Sequence, residues 1–187
     1  VEFADVIRGR RTVKAFGSEP VPRDVLEELF ELARWAPNHG LTNPWRFRVL
    51  GPQAIAELSR VAGEQAAAAA PEGADPSQVA AIAAAKLARA QTLIVVSCVR
   101  HADPVQHDED VLATACATYV VLLAAHDRGL AAYWRTPAVL RTDEGLATVG
   151  VGAGEQALGL VYLGPSVGAA PPPPPRAPVD EIVTWLD

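Results

Sequence analysis

Apolar residues recur at helical spacing from Arg23 to Ala36, where Leu26, Leu29, Phe30 and Ala33 share one face. Pro37 predicts the end of that helix, because proline disfavours the α conformation in the residue before it. Ahead of it, Glu2 to Arg10 reads as a short helix with Phe3, Val6 and Ile7 together, and Arg10 to Phe16 as extended chain. After a loop at Asn38 to Asn43, the run Trp45 to Leu50 sets Trp45, Phe47 and Val49 against Arg46 and Arg48, the two-residue period of a strand. Residues 53–62 predict a helix. A biased patch follows, Ala66 to Ala70 and then Pro71 to Pro76, after which Ser77 is placed to cap an alanine-rich helix reaching about Ala90.

Thr92 to Val99 is a continuous β-branched run, the signature of a strand buried on both faces. Asp108 to Arg128 predicts a long helix that is apolar nearly all round, so it must be buried in a core or against another subunit. Ala131 to Trp134 and Ala157 to Leu163 read as further strands, with a short helix around Asp143 to Val149 between them. The five prolines at 171–175 predict extended polyproline, and Val179 to Leu186 a last short helix. Helices interleave with about four strands and no regular βαβ repeat appears. That order predicts an α+β fold with a mixed, mainly antiparallel central sheet flanked by helices. Neither half alone has enough strands for a sheet, so residues 1–187 are expected to be one domain and the Ala/Pro patch a surface excursion.

Composition narrows the function classes. Of 187 residues half are apolar, a fifth are charged, and the net charge is −6. That balance is globular and argues against general nucleic-acid binding, which needs a basic face to offset phosphate charge. No uncharged apolar run reaches membrane-spanning length and no leader pattern opens the chain, so no membrane partner is expected. Cys98 and Cys116 fall in apolar runs, where two buried thiols fit a reducing cytoplasm better than a disulfide does. Gly152 to Ala157 spells G-x-G-x-x-A but precedes a strand, so it is not a dinucleotide fingerprint. His101, His107, Asp108, Glu109 and Asp110 lack the spacing of a metal site. An acidic first turn of the long helix accounts for the carboxylates.

Four clusters could carry chemistry. Arg10-Arg11-Thr12-Val13-Lys14 puts three cations and a hydroxyl within five residues, a set suited to phosphate oxygens, although a solvated basic turn explains it as well. Trp35 to Phe47 places Asn38 and His39 in a proline-bounded loop flanked by two tryptophans. Such a loop can present polar groups beside an aromatic wall, or the tryptophans can simply pack. Gly129 to Pro137 carries Tyr133, Trp134, Arg135 and Thr136 from a strand into a turn. Arg176 stands alone on the stiff proline tail.

Together these segments resemble the FMN-dependent nitroreductase-like family along most of the chain, in its compact bacterial branch. The family's Arg-Arg-Ser opening with a following cation and Phe matches Arg10-Arg11-Thr12-Val13-Lys14-Ala15-Phe16. Its next helix, running from Val-Pro to Ala-Pro, matches Val21 to Pro37. Its Pro-Trp strand matches Asn43 to Phe47, its Gly-Leu helix end Gly129 to Trp134, and its closing strand Leu158 to Pro165. The resemblance implies a homodimer with FMN at the subunit interface and NAD(P)H as co-substrate. Hydride would pass through flavin N5 to a small acceptor such as a nitroaromatic or quinone. It further implies that Arg10, Arg11 and Thr12 hold the FMN phosphate and ribityl chain, and that Lys14 lies at the pyrimidine edge. Trp35 and His39 would reach the flavin from the other subunit, Trp134, Arg135 and Thr136 would line it, and Arg176 would sit against the phosphate. Thr12 replaces the usual Ser and keeps the hydroxyl. No side chain need act as nucleophile, because the flavin carries the chemistry; His39 or Arg135 could give a proton or hydrogen bond to the acceptor. The alternatives are a flavin-binding module without turnover, or a flavin-dependent dehalogenase or dehydrogenase on the same fold.

Overall fold

The computed structural model describes residues 2–186. In chain order the elements are α1 (Phe3–Gly9), α2 (Arg23–Ala33), β1 (Trp45–Leu50), α3 (Pro52–Ala68), α4 (Pro76–Leu87), β2 (Thr92–Val99), α5 (Pro104–Asp127), β3 (Leu130–Arg135), α6 (Asp143–Thr148), β4 (Glu155–Pro165) and α7 (Val179–Ile182). The strands form one sheet in the order β1-β2-β4-β3, and every pairing is antiparallel. The expected mixture therefore resolves to one direction of pairing.

Alternation along β2 and β4 divides the core in two. Ile94, Val96, Val161 and Leu163 meet Leu26, Leu29 and Ala33 of α2 and Ala117, Val121 and Ala125 of α5. Leu93, Val95, Leu160 and Tyr162 point the other way, onto Ile55, Leu58 and Val61 of α3 and Leu87 of α4. Leu160 to Leu163 are at most 1% exposed, and burying an apolar side chain of this size contributes about 1.5–3 kcal/mol. A strand covered on both faces needs no polar alternation, which is why 92–99 reads as an unbroken apolar run.

Several boundaries differ from those the sequence predicts. The helix from Arg23 stops at Ala33, and Trp35 and Ala36 close single turns onto Leu32 and Ala33 before the proline is reached. The helix predicted at 53–62 runs on to Ala68, since alanines propagate a helix already nucleated. Asp75, not Ser77, caps α4: its carboxylate accepts the Ser77 N–H at 2.9 Å, with Pro76 at the first helical position. The same grammar starts α5, where Asp103 accepts the Val105 N–H and Pro104 follows. This start is four residues earlier than expected, so Asp108, Glu109 and Asp110 lie beyond the first turn and the dipole does not account for them. Cys98 is buried as expected; Cys116 is exposed, because it faces outward from α5 with Leu112 and Tyr119.

The 24-residue α5 contains an 18-residue stretch with a mean hydropathy of 1.3, long and apolar enough to cross a bilayer, but half of that stretch is buried in this fold. It packs on α2 and on the sheet. Near the open end of the sheet, Arg48 clasps Glu155 through two bonds of 2.8 and 2.6 Å, and both side chains bond Ser97. The hydrogen bond from Arg48 holds the Glu155 carboxyl below its ordinary range. A depressed folded-state pKa gives stability that is present above the unfolded value and lost as pH falls through the folded one. Arg48→Ala is expected to cost about 1–3 kcal/mol in urea melts at pH 7, and the difference from wild type should shrink once the pH falls below the ordinary carboxylate range and Glu155 protonates. An equal difference at both pH values would exclude the ion pair as the source.

Candidate functional site

The basic segment after α1 is tied to the edge of the sheet. Val13 N–H donates to Ala132 O at 3.1 Å, and Phe16 bridges to Ser166. Arg10, Arg11 and Thr12 are thereby held beside the proline tail, where Pro171 to Pro174 and Arg176 complete two adjoining clefts of about 400 and 230 Å³. The structure thus brings Arg10, Arg11, Thr12 and Arg176 together over 160 residues of sequence separation. Arg8 and Tyr119 also line the larger cleft. The sequence reading missed both, although Arg8 stands one helical turn before Arg11 and the spacing alone could have suggested it.

None of Arg10, Arg11, Lys14, Arg135 and Arg176 joins an ion pair among the described residues, whereas Arg23, Arg34, Arg48, Arg60 and Arg128 all do. Arg11 spends its donors on the Arg8 and Arg10 carbonyls at 2.5 and 2.9 Å. The uncompensated charge is felt by His126, which packs against Gly9. Burial first, and then the Arg10 and Arg11 cations, push its pKa down from the ordinary histidine value. Positive field, a hydroxyl and a cleft form a receptacle for an anion.

Lys14 takes a different position. Its ammonium lies 5.4 Å from the centre of the Tyr133 ring, which packs on Tyr162, itself stacked on Phe16. Trp134 and Arg135 leave β3 on opposite faces. Trp134 packs towards α2 and α5, with its indole N–H buried and without a partner, while Arg135 faces the α3–α4 side. Thr136 is exposed just beyond the strand. Their close passage past β4 depends on Gly159, whose φ is +136°. A β-carbon there would sit 2.5 Å from Arg135 O and 2.9 Å from Trp134 Nε1.

The tryptophan-histidine loop lies elsewhere. Trp35 is 77% exposed on the rim of an apolar groove of about 500 Å³ that it shares with Phe3, Leu32, Val120 and Leu123. His39 is exposed and pairs through Nδ1 with Glu109 at 2.6 Å. The loop turns through three residues of positive φ, Gly40, Leu41 and Asn43, of which the two non-glycines cost of order 1 kcal/mol each. Asp110 anchors it: this 2%-exposed carboxylate accepts from Thr42 Oγ1 at 2.5 Å and Gln106 Nε2 at 3.1 Å, and Asn38 closes the ring through the Asn43 N–H at 2.7 Å. In the sequence Asp110 is one of several clustered acids; its burial separates it from Glu109. Tyr119, which lines the basic cleft, stands ten residues beyond Glu109 on α5, about 15 Å at ~1.5 Å per residue. Within one chain His39 and Arg10 therefore do not share a pocket.

The Nitroreductase family model matches residues 7–164. A 43-residue stretch is 51% identical to YfhC of Bacillus subtilis, covering 23% of this chain and 22% of that protein, so the matched stretch spans about a fifth of the relative. The nitroreductase-like family protein from Bacillus cereus superposes with a TM-score of 0.86 at 25% identity, over 100% of this chain and 96% of that one. The FMN-dependent nitroreductase NfnB from Mycobacterium smegmatis, solved with NADPH, has a TM-score of 0.76 at 18% identity, covering 98% and 97%, a likeness of fold.

Two outcomes test the site's electrostatics. Removing one cation by Arg10→Ala should raise the His126 pKa in an NMR titration, and an unmoved value would place the arginine charge elsewhere. Asp110→Ala should cost about 1–3 kcal/mol and speed amide exchange at 38–43, leaving the exchange of β2 and β4 unchanged.

Proposed function

This chain belongs to the nitroreductase family, and from that premise we propose that it is an FMN-dependent NAD(P)H oxidoreductase acting on nitroaromatics, quinones or similar acceptors. The observation that carries the reading is the cleft where Arg10, Arg11 and Arg176, which join no ion pair among the described residues, meet the Thr12 hydroxyl. It suits a doubly charged phosphate ester far better than it suits water, because uncompensated guanidinium groups favour an anion with several acceptor oxygens. NfnB, which shares the fold, is FMN-dependent.

In this reading Arg10, Arg11 and Arg176 grip the phosphate and Thr12 bonds the ribityl chain. Lys14, steadied over Tyr133, holds its charge against the pyrimidine edge of the ring system. Trp134, Arg135 and Thr136 lie along the same cofactor, with Trp134 and Arg135 contributing from different sides of the strand. FMN held there would supply the redox chemistry, the exchange of hydride between NAD(P)H and an acceptor. The protein supplies position and charge. His39 or Arg135 furnishes a proton or hydrogen bond to the reduced acceptor.

The reading also needs a second chain. His39 lies on the loop held by the N-terminal half of α5, away from the basic cleft, and Trp35 flanks an outward-facing apolar groove with Phe3 and Val120; in this reading both serve a flavin of the neighbouring chain. An exposed apolar face supports that association. Leu112, Cys116 and Tyr119 run along α5, and the groove beside Trp35 lies open. The Asp110 network keeps the strained loop in one shape for that contact.

The purified protein should be yellow and should oxidise NAD(P)H when a nitroaromatic or quinone is added. Arg10→Ala should lose one to two orders of magnitude in FMN affinity, roughly the value of one or two charge-assisted bonds. Full occupancy in that variant, or a flavin-loaded monomer in sedimentation, would overturn the assignment. A flavin-loaded protein that oxidises no nicotinamide would instead make it a binding module.

A further inference from the structure

The tail that carries Arg176 is loosely attached. From Val167 to Ala177 every residue is exposed, and no backbone hydrogen bond ties this stretch to the rest of the protein among the described residues. Its anchor lies just before it, where Phe16 bridges to Ser166 and the Gly17 N–H donates to Pro165 O at 2.9 Å. Beyond it, the residues of α7 and onward to Leu186 are exposed as well. A tail tethered at one end ordinarily sweeps through solvent. Yet Arg176, ten residues past Ser166, stands on both basic clefts with Arg10 and Arg11. These three guanidinium groups repel one another, and none joins an ion pair among the described residues. Attraction to the cleft therefore does not place Arg176 there.

The covalent chain does. Each ring from Pro171 to Pro175 fixes its own φ, and each proline keeps the residue before it extended. Five such residues rise about 15 Å as polyproline II, at ~3.1 Å each. A flexible Gly/Ser chain of that length spans about 12 Å on average and has no preferred direction. Polyproline II also repeats every three residues, so Pro171 and Pro174 share one face, and Pro173 and Arg176 another. The first pair lines the smaller cleft and the second pair the larger. Gly168, at a φ of +77°, turns the chain just before the stiff run begins. Without N–H groups, the prolines cannot be drawn into a sheet edge instead.

We propose that Pro171 to Pro175 form a rigid bracket that presets Arg176 for a phosphate ester, so that the anion binds without first ordering the tail. Arg176 makes the contact, and the prolines are positioning residues. A tail that is only sometimes in place divides the apparent affinity by the fraction of time it is there. The bracket keeps that fraction high against the repulsion of Arg10 and Arg11. This rests on the phosphate reading of the cleft above and goes beyond it in giving the five prolines a function in binding.

The bracket is loosened in a variant carrying Pro171→Gly, Pro172→Ser, Pro173→Gly, Pro174→Ser and Pro175→Gly. Protein loaded with FMN, or with riboflavin, which lacks the phosphate, is diluted serially and the released flavin is read by fluorescence. Loosening should lower the ratio of FMN to riboflavin affinity roughly three- to tenfold. Arg176→Ala in the wild-type tail should lower it about tenfold. In the loosened tail the same substitution should lower it no more than about threefold, because that arginine is no longer held in place. A segment that merely supported the fold would weaken both flavins alike and leave Arg176→Ala its full effect. Either of those results overturns the proposal, as does a ratio that loosening or Arg176→Ala leaves unmoved. A wild type that retains no flavin overturns the cofactor reading, and inorganic phosphate followed by phosphorus NMR then tests the bracket alone. Phosphate bound more weakly by the loosened tail and by Arg176→Ala supports the bracket; equal binding by all three proteins overturns it.

Discussion

Every feature of the candidate site depends on β4 being bonded along both edges. It pairs with β2 from Thr92 to Val99 and with β3 from Leu130 to Arg135, so its backbone groups are satisfied without water. Its side chains can then go wholly into the two cores. That leaves the outer edge of β3 as the free edge beside it, and there the basic segment attaches through Val13. The one irregularity lies where the fit is tightest. Leu158 is the extra residue of a bulge opposite Val96 and Ser97, and Gly159 next to it lets β4 pass against the backbone of Arg135 without a β-carbon between them.

The charges fall into two groups that a count of residues does not distinguish. Arg48 is matched by Glu155 and Arg60 by Glu57 and Glu64, so those cations are occupied in structural or surface pairs. The cations at 10, 11, 14, 135 and 176 join no ion pair among the described residues. They are gathered at the edge and end of β3, in a protein whose net charge is negative. Local excess of one sign within an opposite overall charge is costly unless a ligand completes it.

The long helix α5 has three tasks at once. One face packs in the core, its N-terminal half anchors the 38–43 loop through Asp110, and its outer face exposes Leu112, Cys116 and Tyr119. Because it is a rigid rod, it keeps the loop and the basic cleft apart within the chain. The same rod would carry the loop towards a neighbouring chain's cleft.

Local pattern was enough for much of this. Trp45–Leu50 and Thr92–Val99 were legible to the residue, because strand period and β-branched runs are properties of adjacent positions. The order of the elements and the basic Arg10–Lys14 motif were legible for the same reason. Helix ends were less so: Asp75 and Asp103 cap because of backbone turns that adjacent letters only suggest. What only the tertiary structure decided is which like-looking residues differ in role. Asp110 is a buried anchor while Glu109 is an exposed partner of His39; Cys116 is exposed while Cys98 is buried; Trp134 and Arg135, neighbours in the chain, face opposite sides of the sheet. Burial and the pairing of charges are set by residues distant in the chain, and one strand's worth of letters carries no record of what will pack across from it.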